Sequence, residues 1–147
     1  MKRSVLFLTI ALGLTSAVVA QKEEKEEKSV NPPVAAKTAF TKAFPGSSNE
    51  KWEKEGKNYE VNFKQNGNEM SVVMTRQGVL QETELAINIS ELPATVADYV
   101  KQHYKGASIK KADKITKATG EVNFEAQVNK KALIFDKEGK FIKVEKD

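Results

Sequence analysis

The sequence contains no cysteine and one histidine, His103, and these two shortages exclude more chemistry than any motif in the chain suggests. Without cysteine there is no thiolate nucleophile, no disulfide staple and no lipid-modified N-terminal cysteine, so packing and strand pairing must supply the stability. With one imidazole, a zinc or copper site lacks its usual donors. No serine sits in a nucleophile-elbow context, so a Ser-His-Asp or Cys-His centre finds no support. His103 falls where a second helix ends, and reads there as a residue favoured by the helix dipole. No basic stripe interleaved with aromatics is present, which argues against nucleic acid as a partner. No apolar run beyond the N-terminus is long enough to form a membrane span.

What is present begins at that N-terminus. Met1 is followed by Lys2 and Arg3, then by an uncharged stretch from Ser4 to Ala20 with an apolar heart from Val5 to Leu14. This is the layout of a secretory signal peptide over residues 1–20, with small residues at Val18-Val19-Ala20 and cleavage expected after Ala20. The expected location is therefore periplasmic or secreted, with no membrane anchor once the segment is removed. Losing Lys2 and Arg3 lowers the formal charge from +4 to +2. Residues 21–31 open with Gln-Lys-Glu-Glu-Lys-Glu-Glu-Lys, which offers no apolar residue to bury and reads as a flexible charged leader.

The remaining segment, residues 32–147, reads as one domain in two similar halves, about 32–89 and 90–147. Asn31-Pro32-Pro33 caps and starts a helix, since proline is tolerated in a first turn. Ala36, Ala39, Phe40, Ala43 and Phe44 then recur at three- and four-residue spacing and give one apolar stripe, ended by Pro45-Gly46. From Glu50 the period changes to two, with Tyr59, Val61 and Phe63 alternating against Glu60, Asn62 and Lys64. Asn66-Gly67 supplies a hairpin turn, and Met70, Val72 and Met74 form the return strand. A fourth strand runs near Val79 to Leu85. Ser90 is the expected N-cap of a second helix, whose stripe is Val96, Val100 and Tyr104. An offset of sixty residues places Pro33 on Pro93, Phe40 on Val100, Phe44 on Tyr104 and Gly46 on Gly106. Further strands are expected near 108–117, 122–128, 132–136 and 141–144. The fold class expected from this pattern is α+β: a tandem repeat of one helix plus three to four antiparallel strands, with the helices packed on one face of a single antiparallel sheet. The opposite face would then stay wet and present Glu60, Asn62, Lys64, Glu125, Gln127 and Asn129.

Pro33-Val34 leading to Ala39-Phe40 and Phe44-Pro45, then Trp52-Glu53, Tyr59-Glu60-Val61, and Leu92-Pro93 with Tyr104-Lys105-Gly106, resembles the periplasmic PepSY-like proteins, also described as beta-lactamase-inhibitor-like. The resemblance covers nearly all of the chain after residue 20. It implies a tandem helix-plus-sheet fold in an exported protein, commonly of Bacteroidetes-type bacteria. The family name borrows from a protein that inhibits an enzyme by pressing a concave sheet against it, but no inhibitory contact residue of that protein has a counterpart in this chain. Ala112 stands where the first half has Trp52, and Phe124 stands where it has Tyr59.

Few residues are candidates for chemistry. Asp136-Lys137-Glu138-Gly139 places two acids near a glycine, yet it lacks the spaced donors of an EF-hand and matches a hairpin turn. Asn88-Ile89-Ser90 fits a glycosylation acceptor and reads more simply as a strand end and helix cap. Trp52 lies among Lys51, Glu53, Lys54 and Glu55, so it is either an interface anchor or a lid on the core beneath the first helix. No catalytic residue, metal ligand or cofactor is expected. The function expected is that of a non-enzymatic exported binding protein whose partner is another envelope or secreted protein. Modulation or inhibition of a secreted peptidase or other hydrolase is its sharper form. The candidate contacts are Trp52, Glu60, Asn62, Lys64, Glu125 and Gln127. The alternative is a small-ligand or cation-responsive envelope module using carboxylates such as Glu60 and Glu125.

Overall fold

The computed structural model describes residues 29–145. The expected signal peptide at 1–20 and leader residues 21–28 lie outside the described residues.

In chain order the protein forms helix α1 (Val34–Ala43), strands β1 (Ser48–Glu55), β2 (Asn58–Gln65), β3 (Asn68–Met74) and β4 (Leu80–Ile87), then a 3-10 turn at Ile89–Glu91. Helix α2 (Ala94–His103) follows, then β5 (Lys111–Lys117), β6 (Val122–Val128), β7 (Lys131–Asp136) and β8 (Phe141–Glu145). All eight strands form one sheet in sequential order, and every neighbouring pair is antiparallel.

This ladder corrects the expected α+β tandem layout. Over the described residues the protein is mostly one eight-stranded antiparallel sheet carrying two ten-residue helices, and a helix-per-repeat plan does not organise it. The physical reason is the middle of the chain. β4 and β5 pair from Glu82↔Lys117 to Ile87↔Ala112, as continuously as any strands within either half. Local periodicity cannot register that pairing, because it joins residues on either side of a helix.

The core lies on one face of the sheet, in two clusters. Under α1, Ala36 and Phe40 meet Trp52, Val61, Phe63, Val72 and Met74. Under α2, Val96 and Val100 meet Ala126, Val128, Leu133 and Phe135. The register Val61↔Val72↔Thr83↔Thr116↔Val122 carries the same face from β2 to β6. Pleating then puts the alternate residues of every strand on the far side.

Local chemistry sets the connections. Asn66 and Gly67 both take positive φ (52° and 82°), which a two-residue hairpin of the observed hand requires. Asp136 is occupied by its own turn, since its Oδ1 accepts the N–H groups of Glu138 at 3.1 Å and Lys140 at 2.8 Å. Ser90 does not cap α2. Pro33 and Pro93 stand at the two N-caps with no side-chain cap bond, and Ser90 falls inside the 3-10 turn. That turn is closed instead by Glu91, whose Oε2 accepts the Asn88 backbone N–H at 2.7 Å and its Nδ2 at 3.0 Å. Replacing Glu91 with alanine releases both donors and is expected to cost about 1 kcal/mol in urea unfolding.

Candidate functional site

Neither core cluster includes a side chain from the second face of the sheet. That face reads across the strands in rows. One row runs Lys51↔Asn62↔Ser71↔Glu84↔Ile115↔Asn123↔Asp136, and another Ala86↔Asp113↔Glu125↔Ile134↔Lys143. A third runs Glu53↔Glu60↔Val73↔Glu82↔Lys117.

Among the described residues no helix covers this face, yet it is not uniformly wet. Ser71, Val73, Ile115, Asn123 and Ile134 are each less than one-tenth exposed, at 5, 8, 4, 4 and 3%. An uncovered sheet buries its own floor when it curls. Burial first, then Glu82 on β4 and Glu145 on the far edge strand β8, raise the carboxyl pKa of Glu55 on β1. Side chains buried on a face that neither helix covers, with a depression between them, make the second face concave.

A depression of about 740 Å³ opens in it, lined by Asn62, Ser71, Glu84, Ala86, Asp113 and Glu125 among others, with Asn88 and Ser90 at one end. Ala86 contributes only a methyl group to the row that holds Asp113 and Glu125, which leaves the space open. Glu84 sits at the centre. The Ser71 hydroxyl donates to its Oε2 at 3.2 Å. Burial first, then Glu125, Glu60 and Glu82, push its pKa from 4.5 up to about 8, against the smaller effect of the Ser71 hydrogen bond. Asp113 is raised as well, by burial most and by Glu69, while Lys111 opposes. Lys110 and Lys111 line the depression beside these acids, and ion pairs stand around it. Lys51–Glu53 at 3.6 Å, Lys64–Glu69 at 3.4 Å, Lys117–Glu121 at 2.8 Å and Lys143–Glu145 pair cation with carboxylate.

A carboxyl that keeps its proton in the folded chain gives a defined pH dependence. The stability associated with Glu84 protonation is present below about pH 4.5 and is lost as pH climbs through about 8. The melting temperature is expected to fall across that window. Glu84→Gln should flatten the fall and leave the variant about 2 kcal/mol more stable at about pH 9, read by thermal unfolding against pH.

Of the residues singled out in the sequence, Glu60, Asn62, Glu125 and Gln127 come together on this face as half-buried side chains, with Lys64 exposed near its edge. Asn129 does not join them, being the residue after β6 with φ 51°. Trp52 lies on the other side. It is 5% exposed and meets Phe40 edge-on at 5.4 Å, with its Nε1 buried and unpartnered, so it roofs the core and leaves the contact set. Sequence reasoning missed Glu84 and Asp113, although Glu82, Glu84 and Ala86 alternate with Thr83, Leu85 and Ile87 and so share a face. Among the described residues, no group of three or more His, Asp or Glu is placed to hold a metal ion, and no helix is long and apolar enough to cross a membrane.

The family model described as "Putative beta-lactamase-inhibitor-like, PepSY-like" matches residues 20–82 and 72–143. No curated protein matches the chain. Among solved structures, a "BLIP-like protein" from Bacteroides fragilis is similar at 21% identity and TM-score 0.58, over 79% of this chain and 86% of that one. A "putative periplasmic" protein from Bacteroides eggerthii is similar at 16% identity and TM-score 0.67, over 79% and 89%. A DUF2874 family protein from Bacteroides ovatus is similar at 18% identity and TM-score 0.64, over 79% and 88%. At these identities the likeness is one of fold.

Proposed function

This chain belongs to the PepSY-like family, and from that premise we propose that it is a non-enzymatic binding protein of the cell envelope that docks on another protein through the concave face of its sheet. The observation that supports the reading most is the character of that face. It is uncovered by either helix, and its depression is lined by polar and charged side chains of both signs beside Ala86, Ile87 and Ile89, several of them partly buried. Crowded carboxylates cost a fold stability, and such costs concentrate where side chains serve function. Export to the periplasm or beyond accords with the Lys2-Arg3 and Val5–Leu14 segment and with the periplasmic description of the B. eggerthii protein. Modulation of a secreted peptidase or other hydrolase is the sharper form of the reading, and it rests on the family's name alone.

Site-specific photo-crosslinking in periplasmic extract tests it. Probes at Asn62 and Gln127 on the concave face should capture the same protein, and probes at Thr41 and Lys101 on the helices should not. Capture through the helices alone would overturn the reading.

A further inference from the structure

We propose that the outer edge of β8 is where two copies of this chain join, each β8 pairing antiparallel with its own counterpart about Val144 so that the two sheets run on as one. The seam lies outside the depression, so the inference does not depend on what the concave face binds.

The chain itself shows what such an edge accepts. The hairpin of β3 and β4 carries a register shift between Val73 and Met74, and the hairpin of β7 and β8 carries one between Ile134 and Phe135. Aligned on those shifts, Leu80, Glu82, Thr83 and Glu84 of β4 correspond to Phe141, Lys143, Val144 and Glu145 of β8. β4 uses its outer edge to hold β5, from Glu82↔Lys117 to Ile87↔Ala112. β8 ends the sheet, so among the described residues the corresponding edge carries no strand, and Ile142 and Val144 stand exposed on it. The opposite end of the sheet is guarded. There the Val30 N–H donates to the Trp52 carbonyl at 2.9 Å, and a register shift between Ser48 and Lys51 breaks β1.

The residues of β8 select a second copy as the occupant. A two-fold axis normal to the sheet at Val144 sets Lys143 opposite Glu145 of the second copy, Glu145 opposite its Lys143, and Val144 against Val144. Within one copy Lys143 and Glu145 already form an ion pair along the strand, and across the axis each gains a second opposite charge. Lys143 and Glu145 lie across from Ile134 and Ala132 on the concave side, and Val144 lies across from Leu133 on the helix side, so this axis keeps both faces continuous. Other joins meet like charges. Moving the axis to Lys143 sets that lysine against its own counterpart. Joining β8 to β1 of the next copy in the register of β4 and β5, with Trp52 in the place of Ala112, sets Lys143 opposite Lys57 and Glu145 opposite Glu55. The two-fold join closes at a dimer whose two concave faces open the same way.

The test follows the association state of the chain from residue 21 to 147 by analytical ultracentrifugation, from about 10 µM to about 1 mM. The wild type should pass from monomer to dimer over that range. Lys143→Glu sets acid against acid across the axis and Glu145→Lys sets lysine against lysine, so each variant alone should dimerise at least about tenfold more weakly while its circular dichroism stays that of the folded chain. An equal mixture of the two variants should form a heterodimer, and both substitutions in one chain should restore the homodimer. Because the chain has no cysteine, Val144→Cys should close a disulfide between copies under mild oxidation, whereas Ile142→Cys, roughly 13 Å from its counterpart across the axis, should not. A wild type that stays monomeric up to about 1 mM would overturn the proposal. So would a dimer indifferent to either charge reversal, or one that the double variant fails to restore, because neither can be paired about Val144.

Discussion

Phe40→Ala is expected to destabilise the protein by about 4 kcal/mol, a large share of the stability of a domain this size. Phe40 is completely buried and organises the aromatic half of the core. Its ring stacks on Phe44 at 5.4 Å and meets Trp52 at 5.4 Å and Phe63 at 4.9 Å edge-on. Truncation removes three aromatic contacts and leaves a cavity that the flanking strands cannot close, because β1, β2 and β3 are fixed by their ladders. Such a domain has only about 5–15 kcal/mol of stability in all, so the variant should unfold at much lower urea with an unchanged slope. A loss below about 1 kcal/mol would mean that Phe40 is not the keystone described.

Gly78→Ala is expected to cost about 3 kcal/mol, from two sources at one position. Gly78 adopts φ +82°, where any side chain is strained. A Cβ there would also stand 2.7 Å from the Ala35 carbonyl oxygen and 2.7 Å from the Ala39 Cβ. Those atoms belong to α1, so the β3–β4 turn touches the helix too closely for a methyl group. Gly139 holds the same kind of place against α2, where a Cβ would meet Thr95 Oγ1 at 2.1 Å. Thr95 already donates to the Glu138 carbonyl at 3.1 Å, so moving it loses that bond. Gly106 is the control. It has φ +75° and open space around it, so Gly106→Ala should show only the backbone cost of about 1 kcal/mol. Equal losses at Gly78 and Gly106 in urea unfolding would refute the close approach.

The helices were legible in the sequence because Ala36, Phe40 and Phe44, and again Val96, Val100 and Tyr104, repeat at helical spacing. The strand faces were legible where polar and apolar residues alternate, as from Tyr59 to Lys64. What the pattern could not show was the joining of β4 to β5, since pairing between residues far apart along the chain leaves no local period. Nor could it show the curl that buries the second face. One signal of that curl was present. Val72-Val73-Met74 and Ala132-Leu133-Ile134-Phe135 are unbroken apolar runs, which belong in strands buried on both sides. Val73 and Ile134 are the residues that such a run places on the concave floor. Trp52 was ambiguous for a different reason: Lys51 and Glu53 on either side of it point to the other face of β1, so they say nothing about the side on which the indole lies.

The central claim is that the carboxylates of the concave face are held there for binding at the expense of the fold. Thermal unfolding of Glu84→Gln at about pH 9, with photo-crosslinking from Asn62 in the same variant, tests it most directly. The expected result is a variant that melts at a higher temperature than the wild type and captures the partner at least about tenfold less efficiently. A variant that melts lower, or that captures the partner as well as the wild type does, would contradict it.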